Sequence, residues 1–485
     1  MSVPLVLLIL GGYFGLLFLV SWLSRGRGDA ATFFLANRSA PWPVVAYGMI
    51  GVAISGITFI SVPGQVASTQ FSYFQLVTGY VLGLLAVAFV LLPVFYRMKQ
   101  VSIYAYLGER FGPRTHKTGA VFFLLAQLAT AAFKLYLMAS VLQLVLFDAL
   151  GFPFGLTVLI TLLLIWLYTY RGGIQTIIIT DTLQTTFLLL AVVLSIAAIC
   201  TQLDLSPAGL YDALEEKGYS HIFEWSWSSP RNFFKLMLTG FLLTVMTNGL
   251  DQSVMQKHLT CKTLWDSQKN LISLAFILIF VNFLFLYLGG ALQLFAEARQ
   301  LPIPAMTDNL YPELAFHHLG PLAATLFLIG IAAAAYSSAD SSLTGLTTSF
   351  CVDILRFDLN KDDRPRLRQG IHLGFTLLLF VLIMAFQRIN ESSVLHAFIR
   401  TSGFVYGPLA GLFAFGLMSE KRVSDTWAPV VCVLCPLLAF LLDRNGEAWL
   451  GYTFGYDILV FNSLLTLLGI YLLTFIPQKN ENAPA

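Results

Sequence analysis

Polar residues in this chain are gathered into short clusters, and long apolar stretches run between them. Apolar runs bounded by Gly, Pro or charge clusters fall at 3–23, 45–65, 71–96, 118–147, 154–170, 174–201, 232–256, 269–294, 320–349, 370–387, 394–418, 427–442 and 451–476. Their usual length of roughly 20 residues is what a helix needs to cross a bilayer, whereas a membrane β-barrel shows alternating segments of about ten. The pattern predicts an all-α polytopic membrane protein of 13 transmembrane helices, with residues 1–485 forming a single transmembrane domain.

Charge orients this array. The first run has no basic segment before it and Arg25 and Arg27 behind it, which predicts a retained helix with its N-terminus outside rather than a cleaved signal peptide. With that orientation 20 Lys and Arg fall in loops assigned to the cytoplasm, Lys257 and Lys262 among them, against five outside, and the C-terminus is cytoplasmic. The expected location is a plasma membrane, of the bacterial inner-membrane kind.

Composition agrees: hydrophobic residues make up 57%, charged residues 11%, and mean hydropathy is +0.76. A net charge of +2 gives no basic stripe for nucleic acid. The five cysteines lie in or beside apolar runs and suggest no disulfide framework, and Cys432 and Cys435, though spaced as CxxC, have no second pair. The seven histidines show no metal-ligand spacing beyond an adjacent pair, and no nucleophile motif appears, so an enzyme is not expected. No appended soluble domain is expected, which places function in the membrane bundle and disfavours a signalling receptor.

Three spans are too polar in the middle for ordinary membrane helices. Span two, "VAYGMIGVAISGITFISVPGQ", carries Gly48, Gly51, Ser55, Gly56, Thr58, Ser61 and Pro63-Gly64, and span seven is interrupted by Thr244, Thr247, Asn248, Gly249, Asp251 and Gln252. Such residues suit either tight helix packing or helices broken midway, whose freed carbonyls and half-helix dipoles face a cavity. Two breaks five spans apart are what an inverted repeat of spans 2–6 and 7–11 predicts. In span nine, "YSSADSSLTGLTTS", helical spacing puts Ser337, Asp340, Ser341, Thr344 and Thr348 on one face, while Ser338, Ser342 and Ser349 lie to one side and can bond backbone carbonyls. An oxygen-rich face poor in carboxylates suits a monovalent cation released on every cycle. Lys134, Asp181, Asp340 and Arg400 stand out among the ionisable residues placed at membrane depth, where each is kept only with a partner or a wet cavity. A salt bridge between Asp181 and Lys134, or snorkelling of Lys134 to an interface, is the structural alternative to a functional role.

With these motifs in this order, together with "GGIQTIIITDTLQ", "DQSVMQK" and "GFVYGPLAGLFAFGLM", the chain resembles the sodium:solute symporter family along essentially its whole length. The resemblance implies a LeuT-like core of two inverted five-helix repeats and sodium-driven secondary active symport by alternating access. It implies a first sodium site from the carbonyls of Gly51, Ile54 and Ala334 and the hydroxyls of Ser337 and Ser338. A second sodium, held in some members, would match Asp181, Ser337, Asp340 and Ser341, with Asp340 standing where a serine is usual, a carboxylate that could strengthen the cation site, take a proton or pair with Lys134. One or two sodium ions are therefore the expected co-substrates.

Span two is most similar to the sialic acid branch, which implies Ser55, Thr58 and Phe59 near the solute. The acidic and amide positions of sugar carriers are occupied here by Ala53, Ile57, Thr58 and Val77. Lys134 lies one turn from the place of a carboxylate-binding arginine, Thr130, and Arg400 lies on span eleven. Two cations near one cavity favour an organic anion such as a sialic-acid-like or simple monocarboxylate over a neutral sugar, polyol or amino acid, and Gln75, Thr78, Thr244, Thr247 and Asn248 complete the expected lining. The expected working unit is a monomer in the lipid bilayer. A sodium channel is disfavoured because no selectivity segment repeats.

Overall fold

The computed structural model describes residues 3–23, 40–98, 102–169, 174–357, 365–389 and 393–475. Among them the architecture is all-helical, and the sole β contact is an isolated bridge between Ala40 and Cys261. Eight helices are long and apolar enough to cross a membrane, or up to eleven if each of three bent helix pairs forms one span. Two shorter apolar helices lie within Val3–Leu23 and Phe154–Thr169.

The three bent pairs are Trp42–Ala53 with Gly56–Gly64 (53°), Phe233–Gly249 with Gln252–His258 (74°) and Val394–Val405 with Gly407–Met418 (48°). The first two coincide with the breaks expected in spans two and seven. The third was not foreseen, although its cause is visible in "VYGPLAG". Pro408 has no N–H to give the Phe404 carbonyl one turn back, and the Asn462 amide donates to that oxygen instead (2.9 Å) and to the Gly403 carbonyl (3.0 Å).

Small residues draw the bundle together. A Cβ on Gly79 would stand 2.1 Å from the Met237 carbonyl oxygen, and one on Gly240 equally close to that of Leu76, so these two helices pack backbone against backbone. Among the eight long apolar helices, the one that includes Pro321–Ser349 is the most buried, packing against Ile174–Leu203, Pro113–Leu142 and both halves of the first broken pair. All five cysteines are free and buried.

Candidate functional site

The break in the first bent pair follows from local backbone geometry. The helical ladder ends where the Ile54 N–H donates to the Ile50 carbonyl (2.8 Å) and restarts where the Phe59 N–H donates to the Ser55 carbonyl (3.0 Å). Ile54 (φ −94, ψ 84) and extended Ser55 (φ −74, ψ 172) lie between, so the carbonyls from Gly51 to Ile54 are left outside the ladder. The first half is pinned to helix Ile174–Leu203 through Thr185. Its hydroxyl accepts from the Gly51 N–H (3.0 Å), and a Cβ on Gly51 would meet that oxygen at 2.4 Å.

The serine hydroxyls of helix Pro321–Ser349 are of three kinds, bonded to a carbonyl, bonded to a carboxylate, or without a partner among the described residues. Ser341 donates to the Ser337 carbonyl (3.2 Å) and Ser342 to the Ser338 carbonyl (2.8 Å), the usual fate of a serine inside a membrane helix. Ser349 binds the Asp353 carboxylate (2.6 Å) instead of a carbonyl. Ser338 is different: its Oγ is buried and has no hydrogen-bond partner among the described residues. Ala334, one turn back, is fully buried. The Asp340 side chain lies outside the described residues.

Asp181 has a partner that the sequence did not indicate. Its Oδ2 accepts from Lys257 Nζ at 2.8 Å and its Oδ1 from the Ser337 hydroxyl at 2.5 Å, with both charged side chains 2% exposed. Lys257 thus belongs to the interior and not to a cytoplasmic loop, and Asp181 pairs with Lys257 and not with Lys134. The reason is the second break. A π-helical turn, Val245–Gly249, runs out at Leu250, and extended Asp251 caps a new half-helix by accepting from the Ser253 N–H (2.9 Å), the Val254 N–H (3.2 Å) and the Ser253 hydroxyl (2.6 Å). The Tyr104 hydroxyl holds the Leu250 carbonyl, and the 74° turn sends Gln252–His258 inward, carrying Lys257 to Asp181.

A cavity of about 110 Å³ lies between the two breaks and helix Pro321–Ser349. Of the expected solute-facing residues, Ser55, Thr58, Lys134, Thr244, Thr247 and Asn248 line it, and so do Ser338 and Ser341. Lys134 has no hydrogen bond and no ion-pair partner within 4 Å among the described residues. Asp251 lines the cavity too, as does Gln127, whose amide nitrogen reaches Ser342 (3.2 Å) while its oxygen has no partner among the described residues. Tyr73, hydroxyl 3.1 Å from that of Tyr80, stands between this cavity and a second one of about 350 Å³ that includes Arg231, Ser393 and Tyr456.

Four expected residues turn elsewhere. Phe59 is fully buried among Phe285, Tyr311 and Phe327, with ring centroids 5.3–5.9 Å away. Gln75 anchors the loop above, donating to the Arg231 carbonyl (3.0 Å) and accepting from the Glu224 N–H (3.0 Å), and Thr78 donates to the Gln75 carbonyl (2.6 Å). Arg400 is half-exposed and paired with Asp443 at 2.6 Å, outside the cavity. Gln127, Asp251, Asn282, Tyr406 and Lys257 were missed as members of the site. Asp251 was signalled only as part of the span-seven interruption, Lys257 read as a loop charge just past that span, and for Gln127, Asn282 and Tyr406 the signal was a polar side chain in an apolar run, which packing residues share.

Chemically, the site offers neutral oxygens at one side and an unpaired ammonium within the same cavity. No group of three or more His, Cys, Asp or Glu that could hold a metal occurs among the described residues. Carbonyls freed by a helix break plus an unpartnered hydroxyl suit a singly charged, exchangeable cation better than a tightly held divalent one.

Residues 33–426 match the model of the sodium:solute symporter family. The sodium/sialic acid symporter NanT of Aliivibrio fischeri is 28% identical over 417 residues, covering 84% of this chain and 81% of that protein. The sodium/sialic acid symporter SiaT of Proteus mirabilis is 25% identical over 451 residues, covering 90% and 89%. A solved structure of a sodium-coupled sialic acid symporter, substrate-bound and outward-open, superposes with a TM-score of 0.80 at 22% identity, covering 98% of each chain.

Proposed function

This chain belongs to the sodium:solute symporter family, and we propose that it imports a small carboxylate-bearing solute by alternating access. It is a sodium-coupled symporter of a small organic solute and not an enzyme. The observation that carries the carboxylate reading is Lys134, an ammonium without an ion-pair partner among the described residues, lining the cavity between the two helix breaks. An ammonium drawn from water into a bundle needs an acceptor, and a solute carboxylate supplies one on every turnover. The relatives named as sodium/sialic acid symporters make a sialic-acid-like carboxylate the first solute to try.

For sodium we propose the carbonyls of Gly51, Ile54 and Ala334 with the hydroxyls of Ser337 and Ser338. The unpartnered Ser338 oxygen supports this set, as does Ser337, whose proton is committed to Asp181 so that its lone pairs are left for a cation. A second sodium on Asp181, Ser337, Asp340 and Ser341 would have to compete with the Lys257 ammonium already on Asp181. The reading is therefore one coupled sodium, with Asp181 acting through Ser337. Counting the two shorter apolar helices as spans gives 13, arranged as inverted repeats of spans 2–6 and 7–11, N-terminus outside and C-terminus inside, working as a monomer in a bacterial inner membrane.

Proteoliposomes under an imposed inward sodium gradient test the reading. Uptake of sialic acid or a simple monocarboxylate should require sodium inside this assay and collapse when potassium or a proton gradient replaces it. Equal uptake under all three gradients would overturn sodium coupling, and sodium-driven uptake of a neutral sugar but of no carboxylate would overturn the solute class.

A further inference from the structure

We propose that a membrane-facing cavity beside Lys235, which shares no lining residue with the solute site, binds the headgroup of an anionic phospholipid such as phosphatidylglycerol. Lys235 is the third residue of helix Phe233–Thr244, which begins where Asn232 caps the Phe234 and Lys235 N–H groups. The residue is 5% exposed, and its Nζ is buried without a hydrogen-bond partner among the described residues. What surrounds the ammonium is aromatic: the Tyr452 ring centroid lies 4.3 Å from Nζ and that of Trp227 5.5 Å. The one carboxylate of the cavity, Asp457, accepts from the Tyr452 hydroxyl and from the Gly455 N–H (2.7 Å) and makes no ion pair with Lys235.

A buried ammonium that keeps all three donors unused loses most of its hydration, and aromatic faces return only part of that loss. An anionic oxygen would complete it, and the positive end of the helix adds to the attraction. The cavity, about 260 Å³, says what kind of molecule carries that oxygen. Its other walls are apolar, Phe234, Leu238, Phe461 and Leu464 among them, and Phe234, Leu238 and Leu464 continue onto the exposed flank of the bundle at 45–51% exposure. A free phosphate would use only the polar corner, whereas a phospholipid uses both, with its phosphodiester at Lys235 and a chain along the leucines. Trp225 and Trp227, both more than 60% exposed in the adjoining loop, mark this end of the helix as the level of the headgroups.

The test is thermal unfolding of the purified full-length protein in detergent micelles doped with phosphatidylglycerol, with phosphatidylcholine, or with inorganic phosphate alone. Phosphatidylglycerol should raise the melting temperature by several degrees more than phosphatidylcholine, and phosphate should not raise it. Lys235→Met should erase the difference between the two lipids, and Lys235→Arg should keep it. Persistence of the difference in Lys235→Met, or an equal rise with inorganic phosphate, would overturn the proposal. Should Lys235→Met fail to fold, native mass spectrometry of the wild-type protein decides: preferential retention of one phosphatidylglycerol through delipidation supports the site, and no headgroup preference overturns it.

Discussion

Lys257 and Lys134 both lie inside the bundle, one on the half-helix that follows the second break and the other lining the cavity between the breaks, and the structure treats them in opposite ways. Lys257 meets the Asp181 carboxylate at 2.8 Å with almost no exposure, and Asp181 spends its other oxygen on Ser337. Among the described residues Lys134 meets no carboxylate within 4 Å. The acid that shares its cavity, Asp251, is occupied in capping the half-helix that follows it. A buried cation with a fixed counter-ion holds helices together, and a buried cation facing a cavity with none is available to a solute. The same contrast recurs among the serines, where Ser342 is spent on a carbonyl and Ser338 is not.

The contrast is broken most directly at Lys257. Lys257→Met leaves a buried carboxylate unpaired, and unfolding in detergent should show a loss of about 3–5 kcal/mol, much of it recovered when Asp181→Asn is added to neutralise the acid. A loss under 1 kcal/mol would mean that the pair contributes nothing structural. Next comes Lys134. Lys134→Met should weaken carboxylate binding by roughly 10- to 100-fold, the equivalent of one charged hydrogen bond of about 1.5–3 kcal/mol, with little loss of stability. Isothermal titration in saturating sodium checks this, and unchanged affinity would remove Lys134 from solute recognition.

Among the hydroxyls, Ser338→Ala should shift the sodium concentration for half-maximal thermal stabilisation upward by about tenfold, the effect of losing one ligand oxygen worth roughly 1.4 kcal/mol. Ser342→Ala, whose hydroxyl is already bonded, should leave that midpoint where it is. Equal shifts in the two variants would erase the distinction drawn between them. The smallest effect belongs to Arg400, whose partner Asp443 lies outside the cavity. Arg400 is half-exposed but the Asp443 side chain is 5% exposed, so Arg400→Gln should cost about 1 kcal/mol from the carboxylate left without its partner and leave solute affinity unaltered, as binding curves for the variant will show.

Much of this protein was legible in its sequence. The length and polarity of the apolar runs dictated a helical membrane bundle, because a backbone in lipid must satisfy its own hydrogen bonds. The breaks near Ile54 and Asp251 were visible as glycine, hydroxyl and amide residues where a membrane helix should be uniformly apolar, whereas helical spacing set Ser338 and Ser342 beside the hydroxyl face, and both line the cavity with Ser341. Pairings across the bundle were not legible. Whether Lys257 counts as a loop charge or a buried one depends on a 74° turn made six residues earlier, and whether Arg400 or Gln127 faces the cavity depends on how a helix is rotated against its neighbours. Sequence periodicity sets which residues share a face of one helix. Which face meets which is decided by close approach between helices, as at Gly51 on Thr185 and Gly79 on Gly240, and by the buried ion pair that such packing permits.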